Sequence, residues 1–431
     1  MKRFLLGIKN LPFKFLFLIT VVLVIRVILF SEPSFKIDMG DWQAWTAKLV
    51  GTGLLKFYAP GFFADYLPFF YIFLWAVGEI FSFIFGKAAI FSNYFAIYIK
   101  IISNIFDLLT AYTIFLIVKK YVKKWAMAGV FLYLINPSVI FNSSVWGQLD
   151  AIPTFFFIWA IYRLEEHGNL KQWSIFNTLS LMIKPYNAPA LPIMFIRLIK
   201  KFTVRKIFFA LFFSAIIFFA LIIPFFPQNP FFGVFNHLIN SLNVYPYASI
   251  NAYNFWGIFG WWKPDNSLWF GLSYHVWGYI IFAVILCLIL LPYIINSKNT
   301  TEKTDYFTYT LSSLAFFLFL TRIHERYLFP VFALLLVIAL IYKSKILFAN
   351  YIILSVVNFI NIFYSYYYYN YAYSNPVFSN NTLFMIAGNF RIFFSVLSVL
   401  IFGVMLVLYL GQQFYGKSVT EVKKKLPDLK K

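Results

Sequence analysis

Some polar segments of the chain carry residue types that can do chemistry. The first is Asp38-Met-Gly-Asp41-Trp42-Gln-Ala-Trp45, which runs on through Lys48, Gly51, Gly53 and Phe57-Tyr58 to Asp65-Tyr66-Leu67-Pro68. A carboxylate held in such a segment can accept the proton of an attacking hydroxyl. Asp38 or Asp41 can equally cap the helix that follows, since Asp satisfies free amides at a helix start. The second is Asn136-Pro137 followed by Asn142-Ser-Ser-Val-Trp146-Gly-Gln148-Leu-Asp150. Trp146, Gln148 and Asp150 could stack on and hydrogen-bond a sugar. The alternative makes Trp146 a membrane-belt residue and Asp150 a helix cap. The third is Lys184-Pro185-Tyr186-Asn187, a lysine inside an otherwise apolar stretch. Such a lysine usually faces a partner or polar cavity, and a phosphate suits it. The fourth, Thr321-Arg322-Ile-His324-Glu325-Arg326-Tyr327-Leu-Phe-Pro330, is the densest polar knot in the chain. Arginine suits bidentate phosphate recognition; a structural network between Glu325 and the arginines is the alternative. His324 has no second His or Cys nearby, which argues against zinc.

The elements that must position these residues are membrane helices. The 431 residues are 62% hydrophobic and only 12% charged, too little charge to coat a soluble surface. Cys287 is the only cysteine, which excludes a disulfide scaffold. Apolar runs near the ~20 residues needed to cross a bilayer recur throughout. Candidate spans lie near 11–30, 66–86, 96–118, 125–141, 151–163, 173–196, 206–226, 273–296, 306–321, 327–342, 346–365 and 391–410. The expected fold is therefore all-α, a bundle of about eleven to thirteen spans. The first run is long for a signal peptide and lacks a small-x-small cleavage site, so it reads as the first span. Trp42, Trp45, Leu49 and Val50 recur at helical spacing, predicting a helix in the interface plane with its indoles at headgroup depth.

The net charge of +21 does not point to nucleic acid, because the basic residues are scattered in short clusters between spans. Lys2–Lys14, Lys119–Lys124, Arg197–Lys206, Lys343–Lys345 and the tail from Lys417 form a positive-inside pattern. It places both termini in the cytoplasm and all four polar segments on the outer face. Asp265 falls on that face too, in a long loop over 227–272. Parity then requires either 66–86 or 96–118 to be interfacial, half-spanning or re-entrant. The tyrosine-rich stretch 364–373 reads as an interfacial aromatic belt.

Taken together, Asp38-x-x-Asp41 with its tryptophans, Asp65-Tyr-Leu-Pro68, Trp146-Gly-Gln-x-Asp150, Lys184-Pro185 and His324-Glu-Arg-Tyr-Leu-Phe-Pro330 resemble the GT-C superfamily of polyprenyl-phosphate-sugar-dependent glycosyltransferases. The resemblance is nearest to prokaryotic relatives of the glycosylphosphatidylinositol mannosyltransferases and covers about residues 20 to 345. Relatives often carry a double proline where this chain has Leu67-Pro68. The resemblance implies an inverting, mannosyltransferase-like enzyme of the plasma membrane. It would take a hexose from a polyprenyl-phosphate donor and pass it to a glycan, lipid or protein acceptor on the extracytoplasmic face.

Under that resemblance Asp38 best matches the family's candidate base, with Asp41 as the alternative. Arg322, Arg326 and Lys184 would stabilise the leaving phosphate, while Trp146, Gln148 and Asp150 orient sugar. Trp42, Trp45, Asp65, Tyr66, His324 and Glu325 complete the expected substrate site. No metal-ligand cluster is apparent, although two aspartates and a phosphate could hold Mg²⁺ or another divalent cation. The expected organisation is a catalytic membrane module over 1–345, further helices over 346–416 and a basic cytoplasmic tail over 417–431. A lipid-linked-sugar flippase is the alternative function. An assembly subunit, a third reading, predicts that the four polar segments lie far apart.

Overall fold

A computed structural model describes residues 13–296 and 301–415; the basic tail and the lysines at 2 and 9 lie outside the described residues. The protein is an all-α polytopic membrane protein, 78% helical. Among the described residues six helices are long and apolar enough to cross a membrane, or up to eight if two sharply bent pairs each count as one span.

The chain enters through α1 (Phe13–Ile28) and turns by 81° into α2 (Lys36–Thr52), which thus leaves the crossing path and lies across the bundle. α3 (Pro68–Phe85) runs beside α2, and α4 (Asn93–Tyr121) is a long span. Side chains near both ends of α3 meet the α2 layer. Phe70 packs on Trp42 and Trp45, and past its C-terminus Lys87 donates to Val50 O and Gln43 to Ser92 O. α3 thus lies along α2 over its whole length, and both it and α4, the two segments between which the charge map leaves parity open, are long and apolar enough to cross.

α5 (Ala126–Leu134) breaks by 50° into α6 (Pro137–Ile140), which continues as a π turn over Phe141–Trp146. Asn136 caps that restart, accepting from Ser138 N and Val139 N. The break strands Leu134 O, and Arg26 of α1 takes it up. Its Nε and Nη2 donate to that carbonyl, and Nη1 donates to Asn104 and Asp107 at 2.7 Å each. A buried guanidinium with five donors satisfies both the ion pair and the orphan carbonyl.

α7 (Ala151–Glu165) and α8 (Leu170–Leu181) pack together. The span expected over 173–196 is interrupted, because Pro185 and Pro189 hold 185–190 as a 3-10 turn before α9 (Leu191–Lys201). α10 (Val204–Ile222) is long and apolar enough to cross, and α11 (Pro230–Leu242) is half-exposed. A loop with a two-stranded hairpin, β1 (Leu268–Trp269) and β2 (Leu272–Ser273), leads to α12 (Tyr274–Ile295).

α13 (Glu302–Phe319) and α14 (Phe329–Ile341) form the centre. Every residue of α14 is buried, and at 13 residues it spans only ~20 Å, so it is a core helix of the bundle. This shortening, with the broken segments, is why fewer helices reach full span length than the apolar runs suggest. α15 (Lys345–Tyr367), α16 (Thr382–Asn389) and α17 (Arg391–Tyr415) close the bundle. The basic segments agree with one side of a membrane: Lys120 pairs with Glu166, and Arg197 with the adjacent Glu165 at 2.7 Å.

Candidate active site

The start of α2 points Asp38 and Asp41 into a cavity of about 220 Å³ on the side opposite those basic clusters. Its wall also includes Trp42, Trp45, Asp65, Tyr66, Lys184, Arg322, His324 and Arg326. Three of the four polar segments therefore meet in its wall, and the second reaches them from behind through Asp38 and Lys184.

Asp38 is the hinge of that meeting. It lies in the first turn of α2, yet it does not cap the helix, whose N-cap is Phe35 with no side-chain bond. Instead its Oδ2 accepts from Trp146 Nε1 and Gln148 Nε2, both at 2.7 Å. Its Oδ1 faces Arg326 Nη2 at 3.9 Å. Gly147, at φ +79°, makes the turn that presents residues on either side of it to one carboxylate. The left-handed backbone there favours glycine, and a Cβ would press on Met39 Cε at 3.0 Å and Ser34 Oγ at 3.3 Å, which would have to give slightly. Phe35 N donates to Trp146 O and the Phe35 ring stacks on the indole at 4.2 Å, locking the pair.

Trp146, Gln148 and Asp150 do not line the cavity, contrary to a sugar-orienting role. All three are buried one layer behind it. Asp150 occupies the N-cap position of α7 but makes no side-chain capping bond; its Oδ1 accepts from Lys184 Nζ at 2.6 Å. The lysine lies 4.7 Å from the Tyr66 ring centroid and 5.8 Å from that of Tyr327, so its charge is held between a carboxylate and two aromatic faces. Trp42 and Trp45 are corrected too. Their indoles are buried against Tyr66 and Phe70 and donate to Gly147 O and Phe63 O, so they pack inside protein rather than at headgroup depth.

The two arginines of the fourth segment differ. Arg322, at φ +63°, spends its guanidinium on Asp265 (2.6 Å), Leu242 O and Asn243, tying the loop after α11 to the cavity rim. Arg326 is half-buried, contacts Glu325 at 3.2 Å and His324 Nδ1 at 3.4 Å, and leaves its Nε without a hydrogen-bond partner. Because a guanidinium only donates, Nδ1 must accept, which puts the imidazole proton on Nε2. Burial, with Arg326 and Lys184 nearby, pushes His324 well below the ordinary histidine range and keeps it neutral.

The acids of the cavity feel the opposite pressure. Burial, with Asp38 and Asp65 close by, raises Asp41 to about 7. Burial lifts Asp65 to about 6, and its Oδ1 is buried without a partner. Burial lifts Glu325 to about 7 against the pull of Arg326. Among the described residues no group of three or more His, Cys, Asp or Glu side chains is arranged to hold a metal ion.

Some of the site's residues were not singled out in the sequence. Tyr245 lines the cavity, with its ring 5.1 Å from that of His324. Asn358 and Asn361 of α15 hold Glu325 O and Asn251 O. The only signal for Tyr245 is the aromatic content of the 227–272 loop, and Asn358 and Asn361 stand inside an apolar run that gives them none. The expected boundary at 345 cuts through this support, since α15 bonds directly to the segment that carries His324.

No protein-family model matches the chain, and a search of the curated proteins finds no match.

Proposed function

We propose that the protein is an inverting membrane glycosyltransferase that moves a hexose from a polyprenyl phosphate to a hydroxyl acceptor on the outer face. One observation carries the reading: the two most specific motifs converge on a single carboxylate, with Trp146 and Gln148 bonded to one oxygen of Asp38 and Arg326 facing the other. An oriented base with one anchored and one open oxygen is the arrangement general-base catalysis needs. A non-catalytic assembly subunit has no reason to gather these segments.

In this mechanism Asp38 Oδ1 takes the proton of the acceptor hydroxyl. The hydroxyl oxygen attacks the anomeric carbon from the face opposite the phosphate, and the carbon–oxygen bond to phosphate breaks with its electron pair leaving on that oxygen. Arg326 meets the charge that develops there, with Lys184 and the Nε2–H of His324 on the same wall. Leu238, Leu242, Phe316 and Leu320 make the flank of the cavity apolar, suiting the first isoprene units of the carrier. Trp146 and Gln148 position the base, and Asp150 positions Lys184.

The test is transfer of radiolabelled hexose from synthetic polyprenyl-phosphate sugars to membrane extracts by the purified protein in nanodiscs. Asp38→Asn keeps an oxygen for Trp146 and Gln148 but loses the proton acceptor. It should fold normally and lose about 10²–10⁴-fold in rate. Asp41→Asn should keep more activity. If Asp38→Asn runs at the wild-type rate, Asp38 is not the base; if the wild type transfers nothing from any carrier sugar, the transferase reading falls.

A further inference from the structure

A second cleft, of about 320 Å³, opens beside the first and is lined by Asn251, Trp261, Trp262, Tyr364, Tyr368, Tyr369 and Tyr373. The tyrosine-rich end of the helix over 345–372, expected to be a membrane belt, forms one wall, and the loop after α11 forms the other. We infer that this cleft binds the glycan portion of a carbohydrate acceptor.

The lining argues for sugar over lipid. No aliphatic side chain faces the cleft, whereas an acyl or isoprenoid chain is ordinarily held by Leu, Ile and Val. Instead there are indole and phenol faces, and these carry negative π density that attracts the C–H face of a pyranose. The phenol hydroxyls and Asn251 supply polar edges for its hydroxyl groups. The rings are also fixed in advance. Trp261 Nε1 donates to Ala252 O at 3.0 Å and Trp262 Nε1 to Asn251 Oδ1 at 2.9 Å, so neither indole is free to turn. Tyr364 lies 4.8 Å from Trp261 and stacks within 7° on Phe384, and Tyr368 is parallel to Tyr364.

Backbone strain gathers at the same place. Asn251 and Trp262 both hold φ +56°, a conformation costly for side chains with a Cβ and concentrated at ligand sites. The cleft also lies next to the cavity that holds Asp38, separated from it by paired backbone. Ile250 and Asn251 pair through their backbones with His324, and Tyr245 lies against both His324 (5.1 Å) and Trp262 (6.4 Å). A chain of sugars seated on Trp261 and Trp262 would reach past Tyr245 toward Asp38.

This inference rests on the transferase reading for its acceptor but has its own readout. Quenching of tryptophan fluorescence by acrylamide is measured on the protein in nanodiscs. The probes are hexaoses of mannose, glucose and galactose, with short-chain phosphatidylglycerol as the lipid competitor. At least one hexaose should protect the cleft indoles, in wild type and in Asp38→Asn alike. Tyr373→Ala, at a largely exposed position, and Trp262→Phe should each weaken that hexaose about tenfold with the thermal midpoint unchanged. Protection by phosphatidylglycerol alone, by no hexaose, or equally in the cleft variants overturns the glycan cleft. Hexaose binding that depends on the cleft, in a protein that transfers no sugar, leaves the cleft standing and removes the transferase.

Discussion

Asp38 and Asp41 share a helix and a cavity, yet their surroundings differ. Asp38 has donors on one oxygen and a guanidinium by the other; Asp41 has none of these and is pushed up to about 7. Asp65 and Glu325 are raised as well. For each of these acids the folded state holds its proton to higher pH than the unfolded chain does. The stability they confer is thus full below about pH 4 and is lost as pH rises through 6 to 7. Buried His324 works oppositely, penalising the fold below its ordinary value of 6.5, so the carboxylates dominate above that pH. The thermal midpoint in detergent should therefore fall between pH 6.5 and 8, and Asp41→Asn or Glu325→Gln should each flatten the fall. A midpoint rising over that window would contradict the burial assigned to these acids. At this scale residue types were readable: a carboxylate, a lysine and an arginine knot at the ends of apolar runs announced a polar cavity. Which side chains face it was not. Trp146 and Gln148 point at Asp38 because a π turn and the positive φ of Gly147 swing them there, and neither geometry leaves a periodic mark.

The elements that carry these residues depend on close packing between α2 and α3. A Cβ at Gly78 of α3 would run into Thr46 Cγ2 and come within 3.1 Å of Val50 Cγ2, both buried on α2. Gly78→Leu should push α2 away from α3 and cost about 1–3 kcal/mol of stability. Because Asp38 rides on α2, transfer should fall more than stability alone explains; Gly40→Ala, where added bulk meets nothing, is the control. Equal activity in both variants would mean that α2 does not set the base. The helix over 36–52 was legible from the spacing of Trp42, Trp45, Leu49 and Val50, though periodicity alone could not say whether lipid or α3 covers that face. The burial of α14 was hidden for the same reason, since an apolar run looks alike in lipid and in protein.

Across the whole molecule, charge sorts the two sides. Lys120 and Arg197 reach the adjacent acids Glu166 and Glu165, away from the cavity. Lys120 is 48% exposed at its side chain, so Lys120→Cys should react with membrane-impermeant maleimide only after the cells are opened. Labelling of intact cells would reverse the topology. The clamp around Arg26 bears on how this bundle is made. Its partners Asn104, Asp107 and Leu134 O lie 78, 81 and 108 residues downstream, so the ribosome delivers the arginine long before anything can receive it. Arg26 lies in the last turn of α1, and an unpaired arginine costs up to ~2.5–3.5 kcal/mol on insertion scales, the full figure applying at a helix centre. The first helix should therefore linger at the translocon until α4 and α5 emerge. Nascent chains stopped near residue 90 should be extracted from membranes by alkali, while chains that include Leu134 resist. Arg26→Leu should abolish the difference by letting the first helix settle alone, leaving Asp107 to enter the bilayer without its cation.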